Sequence, residues 1–234
     1  MRARIWLLLA GALLGAACGG TEPEGSAPPP ASTEARPAIA VPAAPAGTPK
    51  VVLLGDSLTA GLGLPTDESY PAVLQRRLAR DGYPHVIVNA GVSGDTSAGG
   101  LRRMDWSIDA DAAILIVALG GNDGLRGLAP AQLKANLAAI IEDGQRRGLT
   151  VILAGMEAPP NFGADYTTAF RQVYRDLARE YDVRLIPFLL DRVGGVAELN
   201  QPDGIHPNAE GAVILAETVW RALEPVLEES KSTP

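Results

Sequence analysis

Cysteine is all but absent from this chain: Cys18 is the only one in 234 residues. No disulfide can form within the chain, so the fold must rest on its core alone. Histidine is almost as scarce. His85 and His206 lie far apart in the sequence, and with the lone Cys18 they offer no ligand cluster for a structural or catalytic metal. Aromatic side chains make up only 5% of the chain, and no pocket shape can be read from them. Basic residues are outnumbered, 20 Lys and Arg against 27 Asp and Glu, giving a formal net charge of −7. That balance argues against a nucleic-acid partner, for which a basic surface is the main source of affinity. Three motifs are also missing. There is no Gly-x-Ser-x-Gly of an α/β-hydrolase elbow, no Gly-Lys-Ser/Thr phosphate loop and no dinucleotide fingerprint.

What is present begins with an export signature. Arg2 and Arg4 precede an apolar run over residues 5–14, and Gly15, Ala16 and Ala17 lead to Cys18. A run that short is a secretion signal, since a membrane-spanning helix needs about 20 apolar residues. A lone cysteine behind small residues resembles the lipobox of bacterial lipoproteins, with Gly15 where leucine is usual. Residues 1–18 are therefore expected to be a signal peptide ending in a lipidated Cys18. Loss of Arg2 and Arg4 with the leader takes the formal charge from −7 to −9.

Residues 19–49 hold 8 of the 19 prolines among Ala, Gly, Ser, Thr and Glu. Such a segment cannot bury a core and is expected to be a solvated tether. Residues 50–229 are the right length for one well-buried domain, leaving 230–234 as a short tail.

Within the domain, apolar runs recur at residues 51–55, 86–90, 113–119, 151–156 and 184–187, most of them β-branched and apolar on both faces. That pattern suits strands buried in a parallel sheet. Between them, Leu133, Leu137, Ile140 and Ile141 share one helical face behind Pro130. Phe170, Val173, Tyr174, Leu177 and Tyr181 form a second stripe, and Leu215, Ala216, Val219, Leu223 and Leu227 a third. Alternation of this kind predicts an α/β fold, a doubly wound parallel sheet of about five strands with helices on both faces. Ligands in such sheets sit beyond the carboxyl ends of the strands.

Polar motifs follow those ends. Gly55-Asp56-Ser57-Leu58 follows the first strand and exposes a serine hydroxyl at a strand-to-loop junction. The second and third exits carry Gly94 and Gly120-Gly121-Asn122-Asp123. Each could be an ordinary turn. Together, the Gly94 amide and the Asn122 side chain could serve as the fixed donors that a tetrahedral oxyanion requires. Asp203-Gly204-Ile205-His206-Pro207-Asn208 stands near the C-terminus. Pro207 disfavours helix at His206, and Gly204 permits a turn that returns Asp203 to the imidazole, a compact orienter and base for a serine nucleophile. His85, in a Tyr-Pro-His loop, is expected at the surface. Asp56, Asp95 and Asp123 are read as turn and supporting residues.

In order, Gly55-Asp56-Ser57-Leu58, Gly94, Asn122 with Gly121-x-Asp123, and Asp203-x-x-His206 resemble the four blocks of the SGNH (GDSL) hydrolases. Residues 118–127 and 203–208 are similar to signatures of the periplasmic thioesterase I/lysophospholipase L1-like arylesterase subgroup. The resemblance implies a flavodoxin-like three-layer sandwich and a serine esterase that needs no metal or organic cofactor. It implies Ser57 as nucleophile, His206 as base and then acid, and Asp203 as orienter. The Ser57 amide, the Gly94 amide and the Asn122 side chain would form the oxyanion hole. Glu157, Pro159, Pro160, Asn161 and Phe162 resemble the subgroup's mobile loop and are expected to bind substrate. Aryl and short-to-medium acyl esters, thioesters and lysophospholipids all fit, and the enzyme is expected to be a monomer held to a membrane by its lipid anchor. The alternative is a non-catalytic or carbohydrate-deacetylating surface module on the same scaffold.

Overall fold

A computed structural model describes residues 45 and 47–232. The expected signal peptide, Cys18 and most of the tether lie outside the described residues. Five strands, β1 (Lys50–Gly55), β2 (Val86–Gly91), β3 (Ala112–Ala118), β4 (Thr150–Ala154) and β5 (Arg184–Ile186), form one sheet in the order β2-β1-β3-β4-β5. Every pairing is parallel. Strand boundaries fall within two residues of those read from the apolar runs.

Among the described residues, eight α-helices accompany the strands: α1 (Ser57–Ala60), α2 (Tyr70–Arg80), α3 (Ser97–Arg102), α4 (Met104–Ser107), α5 (Gly121–Leu125), α6 (Pro130–Arg146), α7 (Ala164–Glu180) and α8 (Ala209–Ser232). Helices α2 and α8 pack together on one side of the sheet, and α3, α6 and α7 on the other. Right-handed crossovers require this division, because the chain runs from β1 out to β2 and then returns across β1 to β3. The expected fold is the observed one.

Burial follows position in the sheet. Val51, Val52, Leu53 and Leu54 of β1 are fully buried, as are Leu115, Ile116 and Val117 of β3. Edge strand β2 is only half-buried and exposes Asn89. The apolar stripes of α6 and α7 face the core through Leu133, Leu137, Ile140, Phe170, Val173, Tyr174 and Leu177. Trp220 of α8 is 1% exposed, with the Arg77 guanidinium 4.4 Å over its ring and Tyr83 edge-on at 5.8 Å.

Two expectations need correction. His85 is buried rather than at the surface. It leads directly into β2, whose start is clasped by the Gln75 side chain, which donates to the His85 carbonyl (3.4 Å) and accepts from the Ile87 amide (2.7 Å). Burial and the nearby Lys231 charge lower the His85 pKa. The C-terminal segment is no tail from residue 230, because α8 continues to Ser232. Val226 and Leu227 in its last turns remain buried, and that packing carries the helix on.

Candidate active site

The order β2-β1-β3 places a topological switch between β1 and β3, the place where open α/β sheets bind ligands. Ser57 follows β1 and Asn122 follows β3. At the end of β1 the chain turns at once into α1, capped by Asp56, whose Oδ1 accepts from the Leu58 amide at 3.0 Å. The cap holds Ser57 at the helix start. At Gly91, the last residue of β2, a Cβ would lie 2.2 Å from the Ala60 amide nitrogen. Only glycine lets these two backbones meet.

His206 arrives from the other end of the sequence on a loop tied down by its backbone. The Gln201 amide donates to the His206 carbonyl (2.7 Å) and the Asn208 amide to the Leu199 carbonyl (3.0 Å). The Gln201 side chain donates to the carbonyls of Leu62 and Pro207, which joins this loop to the one after α1. Gly204 has φ of +71°, a left-handed turn that suits glycine. The turn folds Asp203 back over the chain, where Oδ1 accepts from the Ile205 and His206 amides at 2.9 and 3.0 Å.

His206 Nδ1 lies 2.7 Å from Asp203 Oδ2, and Nε2 lies 2.9 Å from Ser57 Oγ. Bonds from the His206 backbone and ring, and then from the Ile205 amide, lower the Asp203 pKa to about 2. An ionised carboxylate only accepts, so Nδ1 carries the ring proton and donates it to Asp203. Nε2 is left to accept from the Ser57 hydroxyl.

Asn122 lines the same cleft as Ser57. Its Nδ2 donates to the Asp95 carbonyl at 2.9 Å and to Asp56 Oδ2 at 3.2 Å. Asp56 is 3% exposed, and burial raises its pKa to about 6 against the lowering effect of its Leu58 and Asn122 bonds. Next along the chain, Asp123 accepts from the Ser97 amide (2.8 Å) and hydroxyl (2.6 Å), and Asn136 donates to the same hydroxyl (2.8 Å). This buried network pins α5 to α3 and α6.

A cleft of about 550 Å³ opens over Ser57 and His206, bordered by Gly94 and Asn122 and walled by Leu62, Leu125, Met156 and Leu190. The family model for the GDSL-like lipase/acylhydrolase family matches residues 53–214, from β1 into α8. The chain belongs to this family. It is 46% identical to "Esterase TesA" of Pseudomonas aeruginosa over 178 residues, 76% of this chain and 89% of that one. It is 36% identical to "Thioesterase 1/protease 1/lysophospholipase L1" of Escherichia coli K12, over 76% of this chain and 84% of that one. A crystal structure of TesA superposes with a TM-score of 0.73 at 45% identity, covering 76% of this chain and 99% of the other. The chain is accordingly a serine esterase, a carboxylic ester hydrolase of the GDSL type.

The expected site residues divide. Ser57, Asp203 and His206 meet in one hydrogen-bonded chain, while Gly94 and Asn122 border the same cleft. Glu157, Pro159 and Pro160 line it as well. Asn161 and Phe162 are not among its lining residues. Pro160–Phe162 is a 3₁₀ turn, in which successive side chains point about 120° apart, and the Phe162 ring packs against Tyr166, tilted by 45° with centroids 5.2 Å apart. Sequence reasoning missed Leu62, Leu125, Leu190, Gly194, Gly195 and Ile205. Ile205 could have been found, since it sits inside the Asp-x-x-His motif. Residues 190–195 carry no motif, and nothing in the sequence announces their place at the cleft.

Proposed function

We propose that Ser57 is the nucleophile of a two-step acyl transfer, with His206 as its base and Asp203 as the orienter of the imidazole. The observation that carries this reading is the unbroken relay from Asp203 Oδ2 through His206 to Ser57 Oγ, with spacings of 2.7 and 2.9 Å. As Oγ attacks the ester carbonyl, its proton passes to Nε2, and the imidazolium that forms is stabilised by ionised Asp203. Collapse of the tetrahedral intermediate breaks the bond to the leaving oxygen, which takes the proton from Nε2. Water then attacks the acyl-Ser57 ester, surrendering a proton to Nε2; collapse of this second tetrahedral intermediate breaks the acyl bond to Oγ, which takes that proton back from Nε2, and the carboxylic acid is released.

The Ser57 and Gly94 amides and Asn122 Nδ2 would stabilise the oxyanion. For Asn122 this uses the proton now shared with Asp56 at 3.2 Å, the longer of its two bonds, while the 2.9 Å bond to Asp95 holds the amide in place. A non-catalytic module would have no need of a tethered base aimed at a serine.

Aryl and short-to-medium acyl esters are the proposed substrates, with thioesters and lysophospholipids also within chemical reach. The support is an open, mainly apolar cleft, in which Glu157, Pro159 and Pro160 form one wall. Hydrolysis of p-nitrophenyl acetate and butyrate tests the reading. Turnover of both is expected, and a folded protein inert to both would refute it.

The same proposal includes export, lipidation at Cys18 and a tether over residues 19–49, with the catalytic domain on the periplasmic face or at the outer membrane. Among the described residues no helix is long and apolar enough to cross a membrane. Multiple acyl chains hold a protein firmly where one would not. Fractionation of wild type and Cys18→Ala decides the point. Wild type should need detergent for release, Cys18→Ala should be uncleaved or lost from the lipidated membrane pool, and a soluble cytosolic wild type would overturn it.

A further inference from the structure

Arg103 belongs to no catalytic motif, yet it is 4% exposed and sits directly beneath the site. Its three guanidinium nitrogens reach four acceptors in four separate segments. Nη2 donates to the Gly55 carbonyl at the end of β1 (2.6 Å), and Nη1 donates to the Ala90 carbonyl of β2 (2.6 Å) and to the Ser107 hydroxyl (3.3 Å). Nε pairs with Asp95 Oδ2 at 2.6 Å. Gly55 lies two residues before Ser57, and Asp95 follows Gly94. The Asp95 backbone carbonyl is also the closer acceptor of the Asn122 amide (2.9 Å). The Val92 amide, between these anchors, donates back to the Gly55 carbonyl at 3.0 Å.

We infer that Arg103 is a positioning residue for the oxyanion hole, fixing the Gly94-Asp95 segment and, through the Asp95 carbonyl, the Asn122 amide relative to Ser57. The inference rests on the reading of Gly94 and Asn122 as oxyanion donors. A planar fork with five N–H donors can bind several acceptors in fixed directions at once. The ammonium of lysine is a compact point charge on a flexible stem and lacks that geometry. The Gly55 carbonyl already accepts from the Val92 amide, so Arg103 adds a second donor there, and a charged donor makes a stronger hydrogen bond than a neutral one. One buried cation therefore ties the ends of β1 and β2 together and sets the spacing between donors. Such spacing matters most when charge develops on the substrate oxygen, because a misplacement of 1 Å can cost about 10²-fold in rate.

The test compares Arg103→Lys and Asp95→Asn with wild type, with rates expressed per active site counted by phosphonate titration. Asp95→Asn keeps the backbone carbonyl and the side-chain shape, so it stands in should Arg103→Lys fail to fold. For whichever variant folds, kcat should fall roughly 10- to 100-fold with KM within about twofold. Inhibition by a boronic acid, which forms a tetrahedral adduct with the serine, should weaken by a similar factor. In an Asn122→Ala background the same substitution should cost markedly less, since one positioned donor is already gone. Unchanged kcat per titrated site, a change confined to KM, or full additivity with Asn122→Ala would each overturn the role of Arg103. If Asn122→Ala alone leaves kcat intact, the oxyanion-hole reading itself is what fails.

Discussion

Ser57 Oγ lies 2.9 Å from His206 Nε2, although 149 residues separate the two in sequence. The contact joins the first residue of α1 to the loop before α8, and the Gln201 side chain ties that loop to the segment after α1 through the Leu62 carbonyl at 2.7 Å. The base is therefore held by backbone and side-chain bonds that do not depend on Ser57 itself. Substitution of the serine should leave the loop in place.

Asp203→Asn should lower kcat by up to about 10⁴ while the protein stays folded. Asparagine can still accept from the Ile205 and His206 amides, but it no longer fixes the ring proton on Nδ1 or offsets the charge of the imidazolium. Because Asp203 holds its pKa near 2, it stays ionised through ordinary assay conditions and keeps its bond to the ring. Steady-state kinetics of the variant, with circular dichroism for the fold, check this.

Asn122→Ala should lower kcat by roughly 10²–10³ with little change in KM, because the donor acts mainly on the developing oxyanion. A change in KM alone would make Asn122 a ground-state binding residue.

Asp56 should leave a pH signature in stability. Its pKa is raised from 3.8 to about 6 in the folded state, so folding takes up a proton between those values. Its contribution to stability is fully present below about pH 4 and is lost as pH rises through about 6, a change of about 3 kcal/mol. Asp56→Asn cannot titrate there. Chemical denaturation at several pH values should show wild-type stability falling by about that amount relative to the variant between pH 4 and 7. A flat difference would place the Asp56 pKa in the ordinary range.

The loop after β4 should tune chain length. Glu157, Pro159 and Pro160 border the cleft, and Glu157 is fixed by an ion pair to Arg171 at 3.0 Å. Pro160→Gly should alter the ratio of butyrate to octanoate ester hydrolysis, whereas Asn161→Ala, outside the cleft lining, should leave it unchanged. Equal ratios in wild type and Pro160→Gly would count against the loop.

Much of this arrangement was legible in the sequence because it is local. The apolar runs marked β1 and β3, which are buried on both faces. Ser57 and the Asp203-Gly204-Ile205-His206 turn could be read because each motif carries its own geometry within a few residues. Arg103 was not legible, since its four acceptors come from β1, β2, the loop after β2 and α4, and no spacing along the chain announces such a convergence. His85 escaped for a related reason: a Tyr-Pro-His loop looks exposed until α2 and α8 close around it. The wall at Leu190, Gly194 and Gly195 depends on how the segment between β5 and α8 returns over the sheet, a tertiary matter with no periodic signal.

The most direct test of the central claim is covalent trapping of the nucleophile. Wild type treated with an aryl phosphonate and analysed by intact mass and peptide mapping should gain one adduct per chain, on Ser57, with loss of p-nitrophenyl ester turnover in step. Folded Ser57→Ala should take no adduct and show no turnover above background. A folded Ser57→Ala protein that hydrolyses the ester at the wild-type rate, or an adduct that maps to another residue, would contradict the account.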